Sequence, residues 1–445
     1  MKMRALIAGT LLMVLLMSTG SADAQGPLKW VTTWTGAAQG PYPTGNPSAQ
    51  PNLSFAFPTP AEGARDQTFR LIVRPDIWGA QTRLRFSNAF GTRPVTFDDV
   101  HVGMQVSGGN LAPGTNRPVT FGGAASITIA PGESAWSDAT ALPFASNPAD
   151  PALSGRKMAV SFHAVGPTGP MTWHAKALTT SYLTPPGAGA KAAGEDDSAF
   201  PFSTASWYFL DAVDMMLPQT TKLVVAFGDS ITDGTDSTFN GDDRWPDVLS
   251  RRLHAAYGPT IAVVNQGIGG NRVIGPAIYT PAQPFAGGPA ALQRLDRDVL
   301  ALSGVSAVIV MEGTNDFGKA GEGATVAAVQ QGLTEFVSRV RSGIKGVQVI
   351  GATLTPNLGS TNPDHGSAEE DANCRAYNDF IRTAKIFDGF VDFYDVTVDP
   401  QTHSMKAAFV PDSTIGGPGD KLHPNRAGYL AMGHAIELKL LLGSQ

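Results

Sequence analysis

Cysteine is nearly absent: Cys374 is the only one in 445 residues, so no intramolecular disulfide can form. Stability has to come from packing. No Cys pair and no His-Glu-x-x-His stands in the chain, and the eight histidines are scattered without metal-ligand spacing, so no metal requirement and no cofactor are expected. Basic clusters are missing as well. A formal net charge of -6 with no run of Lys or Arg makes nucleic acid and anionic membrane surfaces poor partners. Past residue 25 nothing approaches the ~20 consecutive apolar residues that a spanning helix requires, so no stable membrane insertion is expected.

What is present begins with Lys2 and Arg4, an apolar run from Ala5 to Met17, and Ala22-Asp23-Ala24 before Gln25. That order is a signal peptide over residues 1–24, with cleavage expected after Ala24 and the mature chain secreted or periplasmic. From Leu28 to Leu183 short alternating segments such as Thr68 to Val73, Thr82 to Phe86, Val95 to Phe97, Ser126 to Ile129 and Lys157 to Phe162 are separated by Gly, Pro, Asn and Asp. Period-two alternation at this spacing predicts an antiparallel β-sandwich over 25–184, jelly-roll-like. No internal repeat appears.

Pro185 to Ala193 and the polar Gly194 to Ser198 mark a connector, and residues 185–220 are expected as a linker. From 221 to 445 the pattern changes. Apolar runs at Leu223 to Phe227, Ile261 to Val264, Ala307 to Met311, Val347 to Ala352 and Phe390 to Phe393 alternate with helical stretches near 244–257, 289–302, 326–341, 369–384 and 425–442. Continuously apolar strands separated by helices predict an α/β domain whose parallel sheet is covered on both faces. Ligands in such domains sit at the carboxyl ends of the strands, so residues just after the runs come first as site candidates.

After the first run comes Gly228-Asp229-Ser230, with Gly234 beyond it; Ser230 is either an exposed nucleophile or a helix cap. The second run leads into Asn265-Gln266-Gly267-Ile268-Gly269-Gly270-Asn271-Arg272, where Gly270 can offer an unobstructed backbone N-H or simply ease a loop. Arg272 occupies the third glycine position of a dinucleotide fingerprint, which sets that reading aside. Behind the third run, Glu312-Gly313-Thr314-Asn315-Asp316 puts the Asn315 amide at the same end of the sheet, as an oxyanion donor or a loop former. Asp420-Lys421-Leu422-His423 precedes the last helix, and its spacing can bring a carboxylate to an imidazole or merely open a helix. No Gly-x-Ser-x-Gly elbow is present, which argues against the common α/β-hydrolase family.

In this order Gly228-Asp229-Ser230, Gly270, Gly313-x-Asn315-Asp316 and Asp420-x-x-His423 resemble the four blocks of the SGNH/GDSL hydrolases, with Ile231 where the family name records Leu. Trp30 to Trp34 and Arg85 to Gly91 resemble exported bacterial members that carry a β-rich domain ahead of the catalytic one. The resemblance implies a flavodoxin-like three-layer α/β/α domain over 221–445 and a serine ester hydrolase working through an acyl-enzyme. Ser230 would be the nucleophile, His423 its base and Asp420 the orienting carboxylate. The N-H groups of Ser230 and Gly270 with the Asn315 amide would form the oxyanion hole. The expected substrate is a small-molecule or polysaccharide ester, a carbohydrate O-acetyl or short-chain acyl ester first. The alternatives are a lipase or lysophospholipase-type acylhydrolase, or an inactive glycan-binding protein. Arg244 and Arg272 read as structural, Cys374 as inert, and Trp30, Trp34, Trp78 and Trp136 as core rather than a sugar platform. The loops 273–288 and 355–368, with Tyr279 and Phe285, are expected to wall the acyl pocket.

Overall fold

The computed structural model describes residues 26–321, 323–410 and 417–443, so the expected signal segment and its cleavage site lie outside the described residues. Three antiparallel sheets occupy residues 28–218. The largest centres on Arg65–Val73, Met158–Pro167 and Val95–Ser107, and a second runs Leu28–Thr35, Leu210–Pro218, Gln81–Ser87 and Thr140–Ala141. Alternate side chains of both meet in a sandwich core of Phe69, Phe86, Phe97, Phe162 and Phe209. Phe162 stacks on Phe69 and meets Phe86 edge-on, each at 5.1 Å between ring centroids. Trp34 and Trp78 are buried in this core as expected, whereas Trp30 and Trp136 sandwich the Arg83 guanidinium at 4.7 and 4.4 Å.

The linker expected over 185–220 is not one. Leu210–Pro218 pairs with Leu28–Thr35 on one side and Gln81–Ser87 on the other, inside the sandwich. Buried charge hid it from pattern reading: Asp211 and Asp214 point inward and pair with Arg85 at 2.6 Å and Arg83 at 2.8 Å. The preceding loop is held by Arg70, fully buried, whose guanidinium donates to the carbonyls of Gly109, Gly194 and Asp196 and lies 4.2 Å above the Phe200 ring.

The C-terminal sheet is parallel, with β1 (Lys222–Gly228), β2 (Ile261–Gly267), β3 (Val305–Met311), β4 (Gln348–Ala352) and β5 (Gly389–Val391) in spatial order β2-β1-β3-β4-β5. This is the flavodoxin-like order. Val224 and Ala226 of β1 face Trp245–Tyr257 and Arg426–Ala435, while Leu223, Val225 and Phe227 face Val326–Gly343 and Ala368–Thr383. Burial on both faces is why these strands read as unbroken apolar runs. The helix expected over 425–442 stops at Ala435, where Arg252 donates to the carbonyls of Gly433 and Ile436 and so satisfies the helix end. The one expected over 289–302 is Ala291–Leu295 followed by a wider turn. No helix of the described residues is long and apolar enough to cross a membrane.

The two domains share one continuous hydrophobic core, from Val31 through Val225 to Phe336. Thr35 Oγ1 donates to the Asn265 carbonyl at 2.8 Å, and Val263 N-H donates to Asp76 at 2.7 Å. The sandwich therefore packs directly along β2.

Candidate active site

β1 ends at Gly228, where a Cβ would lie 2.3 Å from the Met311 carbonyl, so only glycine lets the strand turn here. Asp229 caps the following turn by accepting the Ile231 N-H at 2.9 Å, and Gly234, with φ +102, closes it. Ser230 is thereby held at the carboxyl edge of the sheet. Its Oγ lies 2.8 Å from His423 Nε2, and His423 Nδ1 lies 2.7 Å from Asp420 Oδ2. A carboxylate only accepts, so Nδ1 carries the ring proton and the Nε2 lone pair faces the serine hydroxyl. Such an imidazole can take the hydroxyl proton.

The other Asp420 oxygen accepts the N-H groups of Leu422 and His423, both at 2.9 Å. Burial alone would push the Asp420 carboxyl up. The hydrogen bond and charge of His423 and these two backbone donors outweigh it, and the group sits well below the usual carboxylate range. The loop 355–368 also braces this turn, since Ser360 and Thr361 both donate to the Asp420 carbonyl.

Among the described residues nothing accepts the N-H of Ser230 or Gly270. Asn315 donates one amide hydrogen to the Asn271 carbonyl at 2.9 Å, keeping its other hydrogen for a ligand. Asp316 accepts the N-H groups of Val273 and Ile274 at 2.8 and 3.1 Å, and Gly269 N-H donates to Asp233 at 3.0 Å. These bonds tie the β2, β3 and Ser230 loops to one another.

Sequence reading missed several groups at this edge. Asp236, Asp420 and His423 each place one ligand-type atom within 4.8 Å of the others, the one such trio among the described residues. Asp420 and His423 already spend theirs on the hydrogen-bond chain. Lys176, from the sandwich, is fully buried; burial lowers its ammonium, while Asp233, Asp236 and Asp420 raise it in part. His174 of the same segment stands 3.2 Å from Asp233. Of the expected pocket walls, Tyr279 donates to the Gln39 carbonyl at 3.0 Å and Phe285 lies 4.5 Å under Arg272. Arg244 donates to the Ala177 carbonyl at 2.6 Å. Burial pushes the Cys374 thiol far up, which leaves it protonated.

Beneath Ser230 lie three buried acids. Burial pushes Asp229 and Asp316 each up to about 6, and pushes Glu312 well above its ordinary value beside the Asp229 charge. One Asp229 oxygen has no hydrogen-bond partner among the described residues. The folded Asp229 thus holds its proton across a window where the unfolded chain has lost it. Stability falls as pH rises from about 4 to about 6, and the cost is complete above that. Asp229→Asn keeps the cap and removes the charge, so it should raise the melting midpoint by several degrees at pH 8 and little at pH 4.5. The underlying gain is about 3 kcal/mol at ~1.4 kcal/mol per pKa unit. Scanning calorimetry at both pH values checks it; equal shifts would count against a buried charge.

A parallel sheet of this strand order with a serine, histidine and aspartate linked at its carboxyl edge has the form of an SGNH-type α/β domain. Residues 226–431 match the family model described as GDSL-like Lipase/Acylhydrolase, and this GDSL/SGNH-like match covers the C-terminal domain, behind a β-rich N-terminal region. Similar solved structures include a carbohydrate acetylesterase family member from Sinorhizobium meliloti, at 20% identity over 50% of this chain and 98% of that one, TM-score 0.37. The M. smegmatis aryl esterase aligns at 21% identity over 48% and 96%, TM-score 0.37. A GDSL-like lipase from Bacteroides thetaiotaomicron aligns at 18% over 49% and 87%, TM-score 0.36. Likeness of this order names no substrate. No curated protein matches the chain.

Proposed function

We propose that the protein is a serine ester hydrolase acting on carbohydrate O-acetyl or other short-chain acyl esters. The observation that carries this reading is the unbroken hydrogen-bond chain from Ser230 Oγ through His423 to Asp420. His423 Nε2 takes the Ser230 proton as Oγ bonds to the ester carbonyl carbon. The resulting oxyanion is met by the N-H groups of Ser230 and Gly270 and by the free hydrogen of the Asn315 amide. His423 then returns the proton to the departing alkoxide, leaving an acyl-serine. Water, deprotonated by the same imidazole, releases the acid and restores Ser230. Asp420 holds the ring and stabilises its cation without becoming protonated.

Beside Asp316, next to the Asn315 amide, a cavity of about 450 Å³ has a lining that includes Lys319, Thr325, Asp364, His365, Ser367 and Glu370, polar groups that suit a hydroxyl-bearing alcohol better than an alkyl chain. A sandwich fused to the hydrolase domain, with the export expected from Met1 to Ala24, also fits an extracellular glycan ester. Rates on p-nitrophenyl acetate, butyrate and octanoate should fall in that order, and acetylated xylan should release acetate. Preference for octanoate with no acetate released would move the assignment to a lipase-type acylhydrolase.

A further inference from the structure

The oxyanion donor of the hydrolase domain is held in place by a residue of the sandwich. Asn46 Nδ2 donates to the Gly269 carbonyl at 2.7 Å. The acceptor is a carbonyl, so the nitrogen end of the amide must face it. Gly269 C=O and Gly270 N-H belong to one planar trans peptide and point in opposite directions. A bond that fixes the carbonyl therefore fixes the direction of the N-H.

That control matters because the peptide lies between two glycines, the pairing with the least steric resistance to a flip. Gly270 adopts φ +81, and a Cβ there would lie 2.8 Å from Asn46 Nδ2, so no bulkier residue can stiffen the loop. The peptides on either side have holders of their own: Gly269 N-H is bound by Asp233, and Asn271 N-H by the Ile268 carbonyl. Only the middle one depends on Asn46. Accepting a hydrogen bond at the carbonyl also polarises the same peptide's N-H and strengthens it as a donor.

Asn46 is presented by a fixed backbone. Gly40–Pro41 pairs with Thr172 and Trp173, Trp173 Nε1 donates to the Thr44 carbonyl at 3.0 Å, and Gly45 packs against the Trp173 ring with no room for a Cβ. The contact is one of several that the sandwich makes on these loops. Gln39 donates to the Ala286 carbonyl, and a Cβ on Gly269 would sit 3.1 Å from Lys176 Nζ.

We infer that Asn46 is a positioning residue for the oxyanion hole, supplied across the domain interface, so that the sandwich completes the site it adjoins. The inference rests on the esterase reading above. In the full chain, Asn46→Ala should lower kcat on p-nitrophenyl acetate by about 10- to 100-fold, less than the 10²- to 10³-fold known for loss of a whole donor, with KM changed less than about twofold. Affinity for a boronic acid that forms a tetrahedral adduct on Ser230 should fall by a similar factor. Asn46→Asp, which keeps the size but cannot donate to the carbonyl, should be impaired at least as much, and it decides the matter if the alanine variant is unstable. A kcat within twofold of the parent in a folded variant, or a loss confined to KM, would overturn the inference. Ser230→Ala run alongside separates the two failures: residual activity there removes the esterase reading, whereas a dead Ser230→Ala with a fully active Asn46→Ala removes only this one.

Discussion

Ser230→Ala is expected to lower kcat for every ester the protein cleaves by about 10⁴-fold or more while leaving the fold in place. Among the described residues the Ser230 side chain makes a single hydrogen bond, to His423, and its loss opens no apolar cavity. The melting midpoint should stay close to that of the parent. His423→Ala should cost a comparable factor, because an imidazole and a hydroxyl that act together are not worth separate amounts. The double variant should then be no slower than either single one. Asp420→Asn should cost about 10⁴-fold by removing the acceptor that fixes the Nδ1 proton. An organophosphate probe followed by intact mass should add one phosphoryl group to the parent and none to Ser230→Ala. Retention of more than a hundredth of the parent rate by Ser230→Ala would falsify the assignment of the nucleophile.

The parallel sheet and the residues at its edge were legible for a physical reason: strands buried on both faces advertise themselves as apolar runs, and the reactive groups follow directly where the runs end. Ser230 stands where that logic put it, and Asp420 and His423, chosen for their spacing ahead of the last helix, meet it in hydrogen-bond contact. What stayed hidden depends on partners far away in the chain. Asp211 and Asp214 break the alternation of Leu210–Pro218, and only their salt bridges to Arg85 and Arg83 make an inward charge tolerable. Asn46 sits among Pro43, Gly45, Pro47 and Ser48, a composition that reads as loop, and its bond spans 223 positions. Lys176 looks like any surface lysine until Thr235 and the acids around it are in view. A signal for Asp236 was available, two residues past the turn glycine Gly234, but a lone Asp in a polar loop gives no reason to choose it.

Arg294 was equally invisible, an arginine in a stretch that reads as a surface helix, and it is the second site where a large effect is expected. Its guanidinium is fully buried. Nη2 donates to the Gly228 carbonyl at 2.9 Å, Nη1 to the Gln266 carbonyl at 2.8 Å and to Asp298 at 3.0 Å, and Nε to Asn271 Oδ1 at 2.8 Å. The plane lies 3.7 Å from the Phe227 ring, and Nη2 is 3.7 Å from Glu312. One side chain thus ties the ends of β1 and β2 to the glycine loop and offsets the acids beneath Ser230. Removing one member of a buried charge network costs about 3 to 5 kcal/mol, since the remaining charges and carbonyls stay behind without their donor. Arg294→Ala should lose that much in urea titration, and kcat should fall with it as Gly228 and Asn271 lose their anchor. Arg294→Met restores volume but no donor, so it should recover only the cavity part of the loss. Arg294→Lys keeps the charge without the fork and should remain well short of the parent. Stability of Arg294→Met equal to the parent would mean that packing alone holds these strand ends, and the guanidinium would lose its place in the account.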